Sequence, residues 1–119
     1  MERIEFCNDV RNTCTYLLDI REDRKYRIDN KELYIVKQNL DSCYRYIIMS
    51  YKTIVAYAYI DIDSNDNIKH IRYSYSTCKY SRTTTKHIRY IYRILEGLSV
   101  LNDCEMTCNT FYRKLDKID

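Results

Sequence analysis

Three consecutive stretches rich in β-branched and aromatic residues set the tightest limit on what this chain can fold into. They cover residues 44–49, 53–62 and 68–75, and polar segments at residues 50–52 and 63–67 separate them. Runs of this length with short polar breaks are typical of strands joined by tight turns. The pattern therefore predicts an antiparallel meander of three strands.

The middle stretch alternates in polarity, as a strand with one buried face does. Ala56 and Ala58 are the only alanines in the chain, and small side chains at these positions would let a helix pack close to the sheet. Tyr57 and Tyr59 point to the opposite face. The predicted core face consists of Ile54, Ala56, Ala58, Ile60 and Ile62.

Apolar residues at intervals of three and four predict helices around the meander. A first helix would bury a face that runs from Ile4 to Leu17, although residues 3–6 could instead open as a short strand. The stretch Arg21–Asn30 is almost wholly charged and is interpreted as a solvated connector. A second helix is expected to begin at Asp29 or Asn30, either of which can cap free backbone N–H groups. Its buried stripe would be Leu33, Val36 and Leu40.

The clearest helix signal runs from about Thr83 to Glu96, with capping hydroxyls at its start and Gly97 placed as a terminator. Its apolar stripe is Ile88, Ile91, Tyr92 and Leu95. The last segment, residues 101–118, predicts a C-terminal amphipathic helix that packs either on the rest of the chain or on a second copy, as a homodimer through terminal helices. The expected fold is α+β, a three-stranded antiparallel meander packed against three to four helices in a single domain, 1–119.

Charge is segregated along the chain more strongly than its net value of +3 suggests. Residues 67–95 contain no Asp or Glu, although they hold two histidines and seven Lys and Arg residues. Lys86, Arg89, Tyr90 and Arg93 recur at helical spacing on the side of the third predicted helix opposite its apolar stripe. This helix is therefore predicted to carry a basic face.

Cations and aromatic rings together indicate a binding surface, because cations neutralise phosphates and rings stack on unpaired bases. An acidic protein surface would suit the same residues. A solvated helix face is the plain alternative, and AT-rich codon usage explains part of the tyrosine abundance. The candidate contact residues are Tyr57, Tyr59, Arg72, Arg82, Lys86, Arg89, Tyr90 and Arg93.

Enzymatic chemistry has little support in the sequence. One glycine excludes a Gly-rich phosphate loop, and no catalytic residue, cofactor or metal is assigned. His70 and His87 could act as acid and base of a weak metal-independent nuclease, but nothing in the sequence places them together. The six cysteines are expected to be reduced core residues, including Cys104 and Cys108, which fall within an apolar stripe without zinc-knuckle spacing.

No apolar run reaches the roughly 20 residues that cross a bilayer, and the first residues lack the plan of a secretory signal. A cytoplasmic protein is therefore expected.

Two segments resemble a pattern in small uncharacterised proteins of bacteriophages and mobile elements. They are residues 50–56, Ser-Tyr-Lys-Thr-Ile-Val-Ala, and residues 80–88, Tyr-Ser-Arg-Thr-Thr-Thr-Lys-His-Ile. The resemblance implies a phage accessory protein in the host bacterial cytoplasm that binds host machinery, as inhibitors of CRISPR and other defence nucleases do. The leading expectation is a non-enzymatic, anti-CRISPR-like protein that inhibits or modulates a host nucleic-acid machine. Direct DNA or RNA binding through residues 67–95 is the alternative.

Overall fold

The computed structural model describes residues 2–5 and 10–112, except for the side chains of residues 10, 11 and 14. The described chain forms one sheet of seven strands whose spatial order follows the sequence, together with two helices. The elements are β1 (Glu2–Ile4), α1 (Val10–Asp19), β2 (Lys25–Ile28), β3 (Leu33–Asn39), β4 (Cys43–Ser50), β5 (Thr53–Ile62), β6 (Ile68–Ser76), α2 (Arg82–Leu101) and β7 (Glu105–Phe111).

Both helices lie on the same face of the sheet. Strands β2 to β6 form an antiparallel meander, whereas β1 pairs with β2 and β7 with β6 in parallel. The two parallel pairs run in the same direction and step across the sheet in the same sense, so two right-handed crossovers place α1 and α2 on one side. The helices contact each other, and residues from both elements pack in one core cluster.

The predicted meander is confirmed as β4, β5 and β6, but the predicted fold of three strands and three to four helices is wrong. Four further strands extend the sheet, and only two helices lie in the described chain. The expected helix over Leu33, Val36 and Leu40 is strand β3, because the apolar run also includes Tyr34 and Ile35, which pack on opposite faces of the sheet.

The two ends of the chain also differ from the prediction. Residues 105–111 form β7, not a C-terminal helix, because each of them pairs in parallel with a residue of β6. Residues 113–118 of the predicted helix lie outside the described residues. The predicted homodimer through terminal helices therefore has no C-terminal helix to form it within residues 102–112. The short N-terminal strand, given as the alternative, is confirmed as β1. The solvated connector is wrong for residues 25–28, which form β2 because Tyr26 and Ile28 are buried in the main core. The predicted first helix is confirmed from residue 10 onward as α1, whereas Ile4 lies in β1 and residues 6–9, with Cys7, lie outside the described residues.

The main core lies between the sheet and the two helices. Ala56 and Ala58 are fully covered there, as predicted, and Ala58 adjoins Ile91 and Leu95 of α2 around a small void. The predicted position of Ile54 on this face is wrong. The pairing of β4 with β5 shifts between Ile48 and Met49, and this bulge turns Ile54 to the other face. There it packs in a second cluster with Tyr34, Ile47 and Met49.

The N-terminus of helix α2 is capped by a side chain, and its C-terminus lies beyond the predicted position. The Ser81 hydroxyl accepts a hydrogen bond from the Thr84 backbone N–H at 3.2 Å, which confirms the predicted N-terminal cap region. The prediction that Tyr92 belongs to the apolar stripe is wrong, since its side chain is exposed. The predicted termination at Gly97 is also wrong, since the helix continues to Leu101. Leu98, fully buried, extends the apolar stripe, and its burial outweighs the roughly 1 kcal/mol helix cost of one glycine.

No helix in residues 2–5 and 10–112 is long and apolar enough to cross a membrane.

Candidate functional site

The outer side of α2 carries a row of four exposed cations, which we call the basic crest: Arg82, Lys86, Arg89 and Arg93. Their spacing of four, three and four residues keeps them on one side of the helix, opposite its buried stripe. The row is about 17 Å long at the helical rise per residue. None of these four side chains forms an ion pair with a described residue, so their charges are available to a partner.

The basic crest is not explained by the stability of the helix. The N-terminal end of a helix carries partial positive charge, so cations there are unfavourable and acids are favourable. The first turn of α2 contains no acid, and its last turn contains no base. Only Arg82 lies in the first turn, where the dipole is unfavourable to a cation, and the dipole acts little on Lys86, Arg89 and Arg93. The helix dipole therefore gives no reason for the row of cations, and a binding role would account for it.

A concave region of about 350 Å³ lies on one side of the crest, and we call it the basic groove. It brings together four of the residues predicted from the sequence and adds two more. Its lining residues are Lys31, Lys86, His87, Arg89, Tyr90 and Arg93. No Asp or Glu is among them, although the Asp29 and Glu32 carboxylates lie close by, near Tyr90 and His87. The lining itself carries only positive charge, so the groove is suited to an anion.

Lys31 reaches the basic groove from the turn between β2 and β3. The Tyr90 hydroxyl donates a hydrogen bond to the Asp29 carboxylate, which ties this turn to α2. The Lys31 ammonium lies 5.1 Å from the centre of the Tyr90 ring, a cation–π contact. The sequence does not indicate Lys31, because its segment has the pattern of a helix start and nothing local marks a contact 59 positions away in the chain.

Buried polar side chains fix the groove to the sheet. The Ser50 hydroxyl, at the end of β4, lies 2.9 Å from the Thr84 hydroxyl and 2.7 Å from Nδ1 of His87. Burial lowers the pKa of His87 from its ordinary value, and the Lys31 ammonium lowers it further. The imidazole is therefore neutral at pH 7 and acts as a structural link between β4 and α2.

The remaining predicted site residues lie on the other side of the molecule. Tyr57, Tyr59 and Arg72 are on the sheet face that carries no helix in the described chain. Arg72 donates two hydrogen bonds to the Asp61 carboxylate, at 3.0 and 2.9 Å, and lies 4.6 Å from the Tyr59 ring centre. The Tyr57 ring has Arg45 at 5.9 Å. The sheet therefore separates these residues from the basic crest.

The two histidines are likewise separated. His70 is on the open sheet face, where its ring lies 2.6 Å from the Thr107 hydroxyl and 3.7 Å from Asp61. His87 is buried beneath α2 on the opposite face. The geometry does not assemble the acid–base pair that a nuclease would need.

The cysteines show no metal-site geometry in the described part of the chain. Cys43 is buried, Cys78 and Cys104 are half-buried and Cys108 is exposed, and all four are free thiols. The prediction that Cys104 and Cys108 lie in the core on a helical stripe is wrong, since Cys104 precedes β7 and is half-buried, and Cys108 lies in β7 and is exposed. No three His, Cys, Asp or Glu side chains within residues 2–5 and 10–112 cluster as metal ligands.

Comparison with known proteins adds no further information on the site. No protein-family model matches this chain, and neither a curated protein nor a solved structure shows significant similarity to it. The resemblance to small phage and mobile-element proteins therefore stays a prediction, and the basic crest with its groove is the candidate site on geometry alone.

Proposed function

We propose that the protein binds the phosphate backbone of a nucleic acid through the basic crest and Lys31. The observation that carries this proposal is the convergence of four cations, with no acid among the lining residues, on the basic groove. A nucleic-acid strand in a duplex presents one charge per 3.4 Å of axis, so the crest spans about five phosphates. Five cations, Lys31, Arg82, Lys86, Arg89 and Arg93, match that number.

The proposed role is non-enzymatic and is exercised in the cytoplasm of a host bacterium. Separation of His70 and His87 by the sheet supports binding over cleavage, because general acid–base chemistry requires both groups within reach of one substrate.

Salt dependence tests the proposal. Binding of fluorescently labelled single-stranded and duplex oligonucleotides of about 12 nucleotides would be followed by anisotropy between about 50 and 200 mM salt. Five phosphate contacts predict a slope of log K against log salt of about −3.5 for single strands and −4.5 for duplex. The Lys86→Ala/Arg93→Ala variant should reduce the steepness by about 1.4 or 1.8, respectively.

A matched control removes the same charges from the open sheet face. Lys25 and Arg45 lie against Tyr34 and Tyr57 there, so the Lys25→Ala/Arg45→Ala variant changes net charge equally without touching α2. We expect its affinity and slope to stay near those of the wild type. No binding at low salt, or an equal loss in the control, would contradict the proposal.

A second candidate is an acidic protein surface on a host nucleic-acid machine, which is the role that the phage resemblance implies. Tyr80 and Tyr92 lie beside Arg89 on the other flank of α2, and protein interfaces are enriched in tyrosine and arginine. A pull-down from bacterial lysate with and without nuclease treatment separates the candidates. A protein retained after nuclease treatment, and lost with the Lys86→Ala/Arg93→Ala variant, would favour the second.

A further inference from the structure

A larger concave region lies on the other flank of α2, and we call it the tyrosine groove. It has a volume of about 530 Å³ and is formed by the end of β6, the segment 77–81 and the first half of α2. Strands β6 and β7 are parallel and joined by α2, so the carboxyl end of β6 and the N-terminal end of α2 meet at one edge of the sheet. The tyrosine groove occupies this position.

The tyrosine groove is lined by flat rings and cations. Tyr75 and Tyr80 are half-buried, and Tyr92 is 37% exposed, so each ring keeps surface open to a ligand. Lys79 and Arg89 supply positive charge, and no Asp or Glu is among the lining residues, although the Glu96 carboxylate lies against the Tyr92 hydroxyl at the edge of the groove. A site for an unpaired nucleotide has aromatic rings on which the base stacks and cations that bind the phosphate, and the tyrosine groove has both. The volume lies within the range of about 300–1,000 Å³ typical of ligand sites.

Hydrogen bonds hold the groove in shape without a ligand. The Tyr80 hydroxyl donates to the Ser76 hydroxyl at 3.0 Å, and the Cys78 N–H donates to the same oxygen at 3.2 Å. The Thr77 N–H donates to the Phe111 carbonyl at 2.8 Å, which ties the segment to β7. A fixed tyrosine loses little conformational entropy when a base stacks on it.

Arg89 connects the tyrosine groove to the proposed phosphate site, because it lines both grooves. Tyr92 lies three positions, less than one helical turn, after Arg89. A nucleic-acid strand that contacts Arg89 on the basic crest therefore reaches the tyrosine groove. Paired bases inside a duplex cannot enter a pocket, whereas unpaired bases turn outward and stack on side chains. We propose that the protein binds single-stranded nucleic acid, with one unpaired base in the tyrosine groove; this rests on the proposed phosphate-binding function.

Tyr92→Ala tests this assignment. The exposed ring can be removed without opening the core, and Tyr92→Phe retains a ring for stacking. Binding of labelled dT and rU oligonucleotides of about 12 nucleotides, and of the corresponding duplexes, would be measured by anisotropy at one salt concentration. We expect Tyr92→Ala to weaken single-strand binding by about 5- to 150-fold, the effect of one stacked base, with an unchanged salt slope. Duplex binding should not change, and Tyr92→Phe should retain most of the wild-type affinity.

Tyr16→Ala is the matched control, because Tyr16 is a similarly exposed tyrosine on α1. Equal affinity of the wild type for single strands and duplexes, or an unchanged affinity in Tyr92→Ala, would overturn this inference and leave phosphate binding intact. Failure to bind either form would overturn both. Thermal unfolding of each variant verifies that a loss of binding is not a loss of folding.

Discussion

Replacing Ser50 with alanine should lower the free energy of unfolding by about 2–3 kcal/mol, although it deletes one oxygen atom. The hydroxyl group is buried between β4 and α2 and contacts Thr84 and His87. Without it, Nδ1 of His87 has no hydrogen-bond partner among the described residues, and a buried unsatisfied group costs about 1–3 kcal/mol. Thr84 keeps a contact of 3.3 Å with the Ser81 hydroxyl, so its loss is the smaller part.

Urea denaturation at pH 7 measures the difference directly. With a slope of about 1.5 kcal/mol per molar urea, the midpoint of Ser50→Ala should fall by more than about 1 M. Ser74→Ala is the control, since Ser74 is a half-buried serine on β6 of the same sheet and should change stability by less than about 0.5 kcal/mol. Equal stability of the two variants would refute the idea that Ser50 links the sheet to α2.

Three further changes follow from the same region. The pKa of His87 is lowered in the folded chain, so below about pH 6.5 the unfolded chain takes up a proton first. The wild type should then lose stability relative to His87→Asn by up to about 1.4 kcal/mol per pH unit, until the pKa of the folded chain is reached. Urea denaturation from neutral to mildly acidic pH tests this, and a difference in stability that does not change with pH would contradict it. Ser81→Ala should cost about 1 kcal/mol by removing the cap of α2, measured by urea denaturation, and no change would argue against capping. Ala58→Leu should lower the free energy of unfolding by about 1–3 kcal/mol, because the void beside Ile91 and Leu95 is only about 10 Å³. Thermal unfolding measures the change, and unchanged stability would mean that α2 moves freely away from the sheet.

The parts of the fold that could be predicted from the sequence have local signals. β4, β5 and β6 alternate or are bounded by polar turns, and α2 has both an apolar stripe and a capping serine. The segments 33–39 and 105–111 carry apolar spacing that fits a helix as well as a strand. Strand pairing decides their structure: residues 33–39 pair with β4, and residues 105–111 pair with β6. These pairings depend on the tertiary fold and leave no signal in the local sequence.

The candidate site was predictable in part for a similar reason. The basic crest follows from spacing within one helix, so Lys86, Arg89 and Arg93 could be identified together. The predicted core face also implies that Tyr57 and Tyr59 lie apart from the basic crest. A helix packed on that face is on the opposite side of the sheet from these two rings. The position of Lys31, and the bulge that turns Ile54 outward, depend on tertiary packing that the sequence does not display.

The central claim is that nucleic acid binds at α2 and not on the open sheet face. Backbone amide resonances of ¹⁵N-labelled protein, followed by NMR during titration with a dT oligonucleotide at low salt, test it most directly. The account predicts that the largest shifts fall on Lys31, residues 76–80 and residues 82–93, while the amides of Tyr57, Tyr59 and Arg72 change little. Shifts concentrated on the open sheet face, with α2 unaffected, would contradict it.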